Sequence, residues 1–386
     1  MALRVAAFVR GRAGRQRQSV LQTGYGQRRG VLQTGYGQRR RLQTQTQGAG
    51  QWHPDAAVVF DIDGVLVRGQ QTISEARGAL RMLGGENRLG RRIPFALLTN
   101  GGGVSEATKA RQLSERLGTE ISASQVILAH SPMKALAADY ANAHVLIVGG
   151  PFRQCAEIAR TYGFGNVSTP NDVVAWRAEA WPFRQLTQAE RETAQIRDFA
   201  SDPFAAVMVF HDSFDFGRDL QVVTDVLRSR GGLLGAAYAD AQSVPLFLSN
   251  ADLVFSNEYV RPRFGQGAFH VCLRAMWDAL TDGARLEHTR FGKPFKVQYE
   301  YAENVLDELA RAGFGGGPGL RRRVYAVGDN PAADIAGANA AGWTSVLVRT
   351  GVFSGANDAT YPAAMVVDHV GDAVERIIEA ELRHIN

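Results

Sequence analysis

The amino-acid sequence predicts an α/β protein, in which a parallel sheet carries helices on both faces and a second α/β domain is inserted into it. Short apolar runs alternate with helical patterns after residue 50, and such βα repeats build parallel sheets. The rhythm restarts near residue 133 and returns to its first form in the last part of the chain. Polar and glycine-rich motifs also follow several apolar runs, as at the ligand-binding ends of parallel strands.

The first part of the predicted sheet has three strands, at 56–60, 93–98 and 126–129. The pattern at 75–83 predicts a short helix. A second helix runs to about Leu117, with Ser105 as its N-cap and Gly118 as its stop signal.

The inserted segment repeats the same alternation. Its predicted strands are 145–148, 205–210 and 245–248, with helices ending near Arg160 and spanning 220–229. The segment 165–202 gives no clear pattern. A helix is predicted at 267–280, and the first sheet then resumes with strands at 324–327, 345–348 and 365–367. The glycine-rich stretch 313–319 is predicted to be a loop.

These patterns predict four segments along the chain. They are a leader at 1–50, a first core part at 51–132, an inserted cap domain at 133–262 and a second core part at 263–386.

The basic character of the chain is confined to its beginning. Residues 1–54 contain ten of the 43 basic residues and no acidic residue, so the remainder has 33 basic against 38 acidic residues. We therefore expect no nucleic-acid surface on the folded body.

The leader repeats VLQTGYGQRR at 20–29 and 31–40. Its arginine-rich, acid-free composition is typical of a mitochondrial transit peptide, which predicts a location in the mitochondrial matrix. A low-complexity disordered tail and a wrongly assigned gene start are the alternatives.

The cysteine positions and the lengths of the apolar runs argue against several classes of protein. The two cysteines, Cys155 and Cys272, are far apart, which argues against a disulfide framework or a cysteine-rich zinc site. Cys155 is predicted to be a core residue. No apolar run is long enough for a transmembrane helix.

Four short motifs stand at the ends of predicted elements. In chain order they are Asp61-Ile62-Asp63-Gly64, Thr99-Asn100-Gly101, Gly292-Lys293-Pro294, and Gly328-Asp329-Asn330 with Asp334. Because ligands of open parallel sheets bind at the carboxyl ends of the strands, we expect the four motifs to meet in one crevice.

The acidic residues of these motifs point to a hard metal ion. Extended backbone sends Asp61 and Asp63 the same way. Together with Asp329 they form an oxygen cluster of the kind that suits Mg²⁺. The metal and Lys293 would offset the repulsion between these carboxylates and an incoming phosphate.

The same residues suggest phosphoryl chemistry. A carboxylate can attack phosphorus and form an aspartyl-phosphate, and a second carboxylate two residues away can exchange protons with the leaving oxygen and with water. Thr99, Asn100 and the backbone N–H groups of the following glycines could hold phosphoryl oxygens.

In this order, the four motifs resemble those of the haloacid dehalogenase (HAD) superfamily of phosphatases, over roughly residues 55–370. The resemblance implies a HAD-like, Rossmann-related sheet. The long insert resembles the class IIA (C2-type) cap of NagD-like and 4-nitrophenylphosphatase-like enzymes. FHDSFDFGRDLQ at 210–221 and TNGGG at 99–103 are similar to the cat-eye-syndrome-critical-region branch of that class. The Asn-Pro-Asp turn of NagD-like caps reads Asn250-Ala251-Asp252 here.

The resemblance implies a role for each motif residue. It makes Asp61 the nucleophile and a metal ligand, and Asp63 the general acid and base, which binds Mg²⁺ through its backbone carbonyl. It makes Lys293 the residue that neutralises the nucleophile and the phosphate. The remaining roles are substrate binding by Thr99, Asn100, Gly101 and Lys293, metal binding by Asp329, and support of that ligand by Asn330 and Asp334.

The predicted enzyme is thus a Mg²⁺-dependent phosphatase for a small phosphomonoester. The resemblance also suggests a link to mitochondrial glycerophospholipid metabolism and a homodimer. A phosphotransferase or mutase, and a catalytically idle binding module, remain as alternatives. Individual residues have plainer interpretations too: Asp334 as a carboxylate at a helix N-terminus, and His211 with Asp212 as a strand end without a metal.

Overall fold

The computed structural model describes residues 51–53, 55–239, 241–255, 259–314 and 322–385. Residues 50–386 form one compact unit. The predicted leader and most of the predicted glycine-rich loop lie outside the described residues.

The described strands fall into two large parallel sheets and two small hairpins. In chain order they are β1 Ala56–Phe60, β2 Val67–Arg68, β3 Gln71–Thr72, β4 Phe95–Leu98, β5 Val126–Ile127, β6 His144–Val148, β7 Asn166–Ser168, β8 Ala206–Val209, β9 Leu246–Leu248, β10 Val254–Phe255, β11 Arg263–Phe264, β12 Thr289–Arg290, β13 Arg323–Gly328, β14 Thr344–Val348 and β15 Met365–Val367.

The described α-helices connect these strands and cover the sheets. In chain order they are α1 Ala76–Leu83, α2 Glu106–Leu117, α3 Ala137–Tyr140, α4 Gln154–Thr161, α5 Pro170–Trp176, α6 Gln188–Thr193, α7 Phe216–Arg228, α8 Gln266–Leu280, α9 Lys296–Leu309, α10 Ala336–Ala340 and α11 Val370–Ile385.

The core sheet has six parallel strands in the order β15-β14-β13-β1-β4-β5. The inserted domain has a five-stranded parallel sheet in the order β12-β9-β8-β6-β7. The hairpins β2-β3 and β10-β11 are antiparallel. The predicted fold class, a parallel α/β core with an inserted α/β cap, is confirmed.

Strand β1 shows why its sequence is apolar throughout. Ala56, Val58 and Phe60 pack into a core that includes α1, α2 and α11, whereas Ala57 and Val59 pack on the opposite face, which includes α9. A strand covered on both faces has no solvent side, so it shows no alternation of apolar and polar residues.

Helix α2 follows its sequence signals. The Ser105 side chain accepts a hydrogen bond from the Thr108 N–H at 3.2 Å, and Gly118 ends the helix in the left-handed conformation with φ +66°. The cap satisfies an N–H that the helix leaves unpaired, and glycine adopts positive φ without strain.

The inserted domain is longer than predicted. Strand β12 completes its sheet beside β9, and Phe269, Leu273 and Trp277 of α8 lie in its hydrophobic core. The predicted boundary at 262/263 is therefore wrong at its C-terminal end, and the chain returns to the core only after β12. The error arose because a two-residue strand carries no detectable periodicity.

Other differences are local. Helix α7 begins at Phe216, four residues before the prediction, because the Asp215 side chain caps it. The unassigned segment 165–202 contains β7, α5 and α6. Cys155 is buried, as predicted. Among the described residues, no helix is long and apolar enough to cross a membrane.

We predict that Trp277→Ala destabilises the inserted domain by about 3–5 kcal/mol, because it empties a large buried site. Trp277 is fully buried, and its indole N–H donates to the Ala284 carbonyl at 2.7 Å. Urea unfolding measures the effect. Met276→Ala, on the exposed side of the same helix, is the control. A loss for Trp277→Ala no larger than that for Met276→Ala would show that α8 does not anchor this domain.

Candidate active site

The loops after three adjacent core strands meet at one edge of the sheet. Strand β1 lies between β13 and β4, and Asp61, Asp329 and Thr99 follow these strands directly. The Asp61 N–H donates to the Val327 carbonyl of β13 at 2.8 Å. Residues far apart in the chain are therefore brought together by strand order, at the end where open parallel sheets bind ligands.

Three carboxylates and one ammonium group form the centre of this edge. The carboxylate oxygens of Asp61, Asp329 and Asp334 lie within 4.8 Å of one another. The Lys293 Nζ is 2.6 Å from Asp61 Oδ1 and 2.6 Å from Asp334 Oδ1. All four side chains are almost completely buried.

Lys293 is held in place through its backbone. Its N–H donates to Asn100 Oδ1 at 2.7 Å, and Asn100 Nδ2 donates back to the Lys293 carbonyl at 3.1 Å. This pair of hydrogen bonds joins the loop after β4 to the loop after β12. The predicted second and third motifs are thus in direct contact.

Asp329 is packed against backbone that must be glycine. Its Oδ2 accepts the Val352 N–H at 2.7 Å. A Cβ atom on Gly64 or Gly351 would overlap the Asp329 carboxylate, and Gly64 also has a positive φ of 87°. Glycine at these two positions permits the close approach.

Asp334 contributes more than the predicted support. Its Oδ2 accepts the Asn330 N–H at 3.0 Å while its Oδ1 contacts Lys293. The Asn330 side chain caps the following helical turn by accepting from the Ala332 N–H at 3.1 Å. Asp334 is therefore part of the charged centre, whereas Asn330 positions the backbone around it.

Asp63 lies apart from the buried centre. Asp63 is exposed. Its carboxylate lies close to Gly101, since a Cβ atom added to that glycine would be 3.9 Å from Asp63 Oδ2. Thr99 Oγ1 accepts the Gly101 N–H at 2.9 Å. The carboxylate of Asp63 thus stands on the same side as Thr99 and Gly101, where a proton donor could meet a substrate. Metal binding through its backbone carbonyl stays a prediction.

Burial and mutual repulsion perturb the charges at this centre. Burial, together with the neighbouring carboxylates, raises the pKa of Asp61 well above its ordinary value despite Lys293. Burial, which is the largest cause, and the negative charge of Asp334 raise the pKa of Asp329 to about 7. Burial disfavours the charged form of Lys293, yet Asp334 and Asp61 hold its pKa well above the usual range.

These properties fit a divalent cation. Three carboxylates beside one ammonium leave a net charge of −2 when all are ionised, in a place with little water to screen it. Oxygen ligands at this spacing are those that hard divalent cations take. Both oxygens of Asp334 accept hydrogen bonds, from Lys293 and from the Asn330 N–H, whereas Lys293 contacts Oδ1 of Asp61 and Val352 contacts Oδ2 of Asp329. Asp61 and Asp329 are therefore better placed to offer an oxygen to such an ion.

The inserted domain also reaches this centre. Asp252 Oδ2 accepts from Asn100 Nδ2 at 3.1 Å, and Asn250 Nδ2 donates to the Asn100 carbonyl at 3.1 Å. His211 packs against Gly103 and lies outside the carboxylate group. Sequence reasoning gave no role to Asn250 or Asp252, although both lie in the turn that departs from the NagD-like pattern.

Comparison with known proteins identifies the family. A haloacid dehalogenase-like hydrolase model matches residues 58–165, and a HAD-hydrolase-like model matches residues 290–373. The mitochondrial hydrolase YKR070W of Saccharomyces cerevisiae is 36% identical over 345 residues, which cover 84% of this chain and 95% of that protein. The chain belongs to the haloacid dehalogenase-like hydrolases.

A second HAD relative is a cardiolipin synthase (CMP-forming)/mitochondrial hydrolase fusion protein of Schizosaccharomyces pombe. It is 40% identical over 324 residues, which cover 83% of this chain and 52% of the fusion protein. The chain therefore spans about half the length of that relative.

Solved HAD structures share the fold. A glycerol phosphate phosphatase of Mycobacterium tuberculosis, solved with magnesium, has a TM-score of 0.54 at 22% identity, covering 82% of this chain and 75% of that one. The p-nitrophenyl phosphatase of Archaeoglobus fulgidus has a TM-score of 0.55 at 18% identity, covering 84% and 99%. At these identities the likeness concerns the fold alone.

We predict that the metal-free protein loses stability as pH rises from about 4 towards and through 7, because the pKa of Asp329 moves from its ordinary 3.8 to about 7 on folding. A carboxyl with a raised pKa in the folded state stabilises that state below its unfolded pKa and loses this contribution as it ionises. Thermal unfolding in chelator between pH 5 and 8 measures the loss. A divalent cation should offset it, and more strongly at pH 8 than at pH 5.

Asp329→Asn should flatten this pH dependence and weaken the response to the cation, whereas Asp278→Asn, on the exposed side of α8, should change neither. Equal pH profiles for the original chain and Asp329→Asn would contradict the assignment.

Proposed function

We propose that this chain is a Mg²⁺-dependent phosphatase, which hydrolyses a phosphomonoester through an aspartyl-phosphate on Asp61. The observation that carries the proposal is the Lys293 ammonium 2.6 Å from Asp61 Oδ1, beside two further carboxylates at the end of the core sheet. Lys293 orients Asp61 and opposes the burial that raises its pKa, and a bound divalent cation would further favour the ionised nucleophile beside positive charge that can receive a phosphate.

In the proposed first step, an Asp61 carboxylate oxygen attacks the phosphorus and the bond to the leaving oxygen breaks. Asp63 donates its proton to that oxygen. In the second step, Asp63 takes a proton from water, the water oxygen attacks phosphorus, and the bond to Asp61 breaks to release inorganic phosphate. Asp63 loses a proton in the first step and regains one in the second, so the two steps together restore its starting state.

The binding residues orient the phosphoryl group for both steps. Lys293 neutralises its charge, and the Thr99 hydroxyl donates to one of its oxygens. The Asn100 amide is engaged by Lys293 and Asp252, and the Gly101 N–H donates to Thr99, so these two residues position Lys293 and Thr99. The carboxylates of Asp61 and Asp329 and the carbonyl of Asp63 would hold Mg²⁺, which would supply positive charge for the phosphoryl oxygens. The inserted domain, in contact with Asn100, would exclude bulk water.

The names of relatives support a substrate class. One relative is fused to a cardiolipin synthase, and one structure of the same fold is a glycerol phosphate phosphatase. We therefore place the substrate among phosphorylated glycerols and glycerophospholipid head groups. Two relatives named as mitochondrial proteins and the arginine-rich leader support a location in the mitochondrial matrix.

We predict that phosphate release from a panel of phosphomonoesters requires Mg²⁺ and falls below detection in Asp61→Asn, because the nucleophile is lost. Asp63→Asn should lower kcat by about 10²–10⁴-fold through loss of proton transfer. Steady-state phosphate assays measure both, and Asp278→Asn is the control.

Adding an alcohol acceptor to the same assay separates the alternatives. Transfer to the alcohol in place of phosphate release would favour a phosphotransferase. Mg²⁺ binding without turnover on any ester would favour an idle binding module. Full activity in Asp61→Asn would exclude the proposed nucleophile.

We also predict that residues 1–50 carry a fluorescent protein into mitochondria, since acid-free, arginine-rich leaders are typical of transit peptides. Replacing the ten arginines with glutamine should leave the fusion outside mitochondria in imaging. Equal import of both fusions would contradict the assignment.

A further inference from the structure

Exposed apolar side chains line one edge of the inserted domain. The loops that follow β6, β8 and β9 carry Phe152, Phe214 and Leu253, all exposed. Because these strands are parallel neighbours, their carboxyl ends lie at the same edge of the sheet. An apolar residue in each of three neighbouring loops is more than scattered surface hydrophobicity.

The β10-β11 hairpin extends this edge. Val260 is 89% exposed and Phe264 is 72% exposed, and Val254 and Phe255 are also exposed. We call the exposed apolar residues of these loops and of the hairpin the apolar rim. Its members are Phe152, Phe214, Leu253, Val254, Phe255, Val260 and Phe264.

The apolar rim is continuous with the candidate active site. The Gly150 N–H donates to the Asp212 carbonyl at 3.0 Å, and the Gly265 N–H donates to the Leu253 carbonyl at 3.0 Å, so hydrogen bonds link the neighbouring loops and close the hairpin. Leu253 directly follows Asp252, whose carboxylate accepts from Asn100 at 3.1 Å. Whatever covers the rim therefore lies beside the phosphoryl-binding residues.

The described hairpin residues, 254–255 and 259–264, carry two arginines and no acidic side chain, whereas the acidic Asp212 and Asp252 lie at the base of the loops and are partly buried. Arg261 and Arg263 are exposed on the hairpin, and the Arg263 guanidinium lies 4.5 Å from the centre of the Tyr259 ring. The chain after residue 54 has 33 basic against 38 acidic residues. An anionic surface would thus attract the hairpin end of the rim.

We infer that the apolar rim docks onto the surface of an anionic lipid bilayer, so that the crevice receives a phosphomonoester head group from the membrane. The inference rests on the proposed phosphatase function and names the physical state of its substrate. Aromatic and aliphatic side chains next to arginines suit the boundary between head groups and acyl chains, and the arginines pair with anionic head groups.

A symmetric second copy fits this edge less well. A two-fold interface places the same patch on both subunits, so it would enclose Arg261 and Arg263 of both copies among apolar side chains. Anionic lipid instead supplies the opposite charge. The docked orientation also leaves the core sheet free, since the rim belongs entirely to the inserted domain.

The test measures co-sedimentation of the chain from Gly50 with vesicles of phosphatidylcholine, with and without phosphatidylglycerol. This segment is used because it forms the compact unit and lacks the arginine-rich leader, which would itself bind acidic lipid. Val260→Ser with Phe264→Ser, and separately Arg261→Ala with Arg263→Ala, should each lower binding to acidic vesicles about tenfold. High salt should reduce the contribution of the arginines.

Ile385→Ser with Arg285→Ala is the matched control, since both side chains are exposed and neither belongs to the rim; its vesicle binding should equal that of the original chain. Turnover of soluble p-nitrophenyl phosphate should be the same in all variants. Absence of vesicle binding, or equal binding by rim and control variants, would overturn the inference. A rim variant that changes the apparent mass in gel filtration would overturn it in favour of a self-association surface.

These measurements distinguish a failure of the proposed phosphatase function from a failure of the docking surface. Soluble-ester turnover without vesicle binding would retain the phosphatase and reject the docking surface. Vesicle binding that depends on the rim, without turnover of any ester, would retain the docking surface and reject the phosphatase.

Discussion

The contact on which the candidate site depends is the Lys293 ammonium between Asp61 and Asp334, at 2.6 Å from an oxygen of each. Buried carboxylates are costly unless they are paired, and three of them share this place. The ammonium compensates one charge and leaves an excess that a divalent cation can neutralise. Removing one member of such a buried group would leave uncompensated charge, so orientation of Asp61 and stability of the fold are coupled here.

The position of Lys293 depends in turn on how the inserted domain ends. Strand β12 belongs to the inserted sheet, and the chain passes from it through Gly292 and Lys293 into helix α9 of the core. Asn100 holds the Lys293 backbone with two hydrogen bonds and also contacts Asp252 and Asn250. One asparagine thus joins the two domains at the candidate site, and any movement of the inserted domain acts on the lysine to which the proposed function assigns phosphate binding.

The sequence predicted the members of the site better than their arrangement. Asp61 and Asp329 were predicted from motifs at strand ends and Lys293 from a motif at the end of an element, and the structure brings the three together. Asp334 was predicted only to support the metal ligands, because a carboxylate in the first turn of a helix has an ordinary local explanation. Its contact with Lys293 spans 41 residues of chain and leaves no local signal. The same holds for Asn250 and Asp252, whose partner Asn100 lies about 150 residues earlier.

By itself, the sequence determined the α/β class, most strands, the caps of α2 and the four motifs, because apolar runs and capping residues act over a few neighbours. The tertiary structure alone decided the end of the inserted domain, since β12 is defined by its pairing with β9 and has no periodicity of its own. It also decided which carboxylates share Lys293 and which apolar residues form one rim, because strand order and burial place residues that the chain keeps apart.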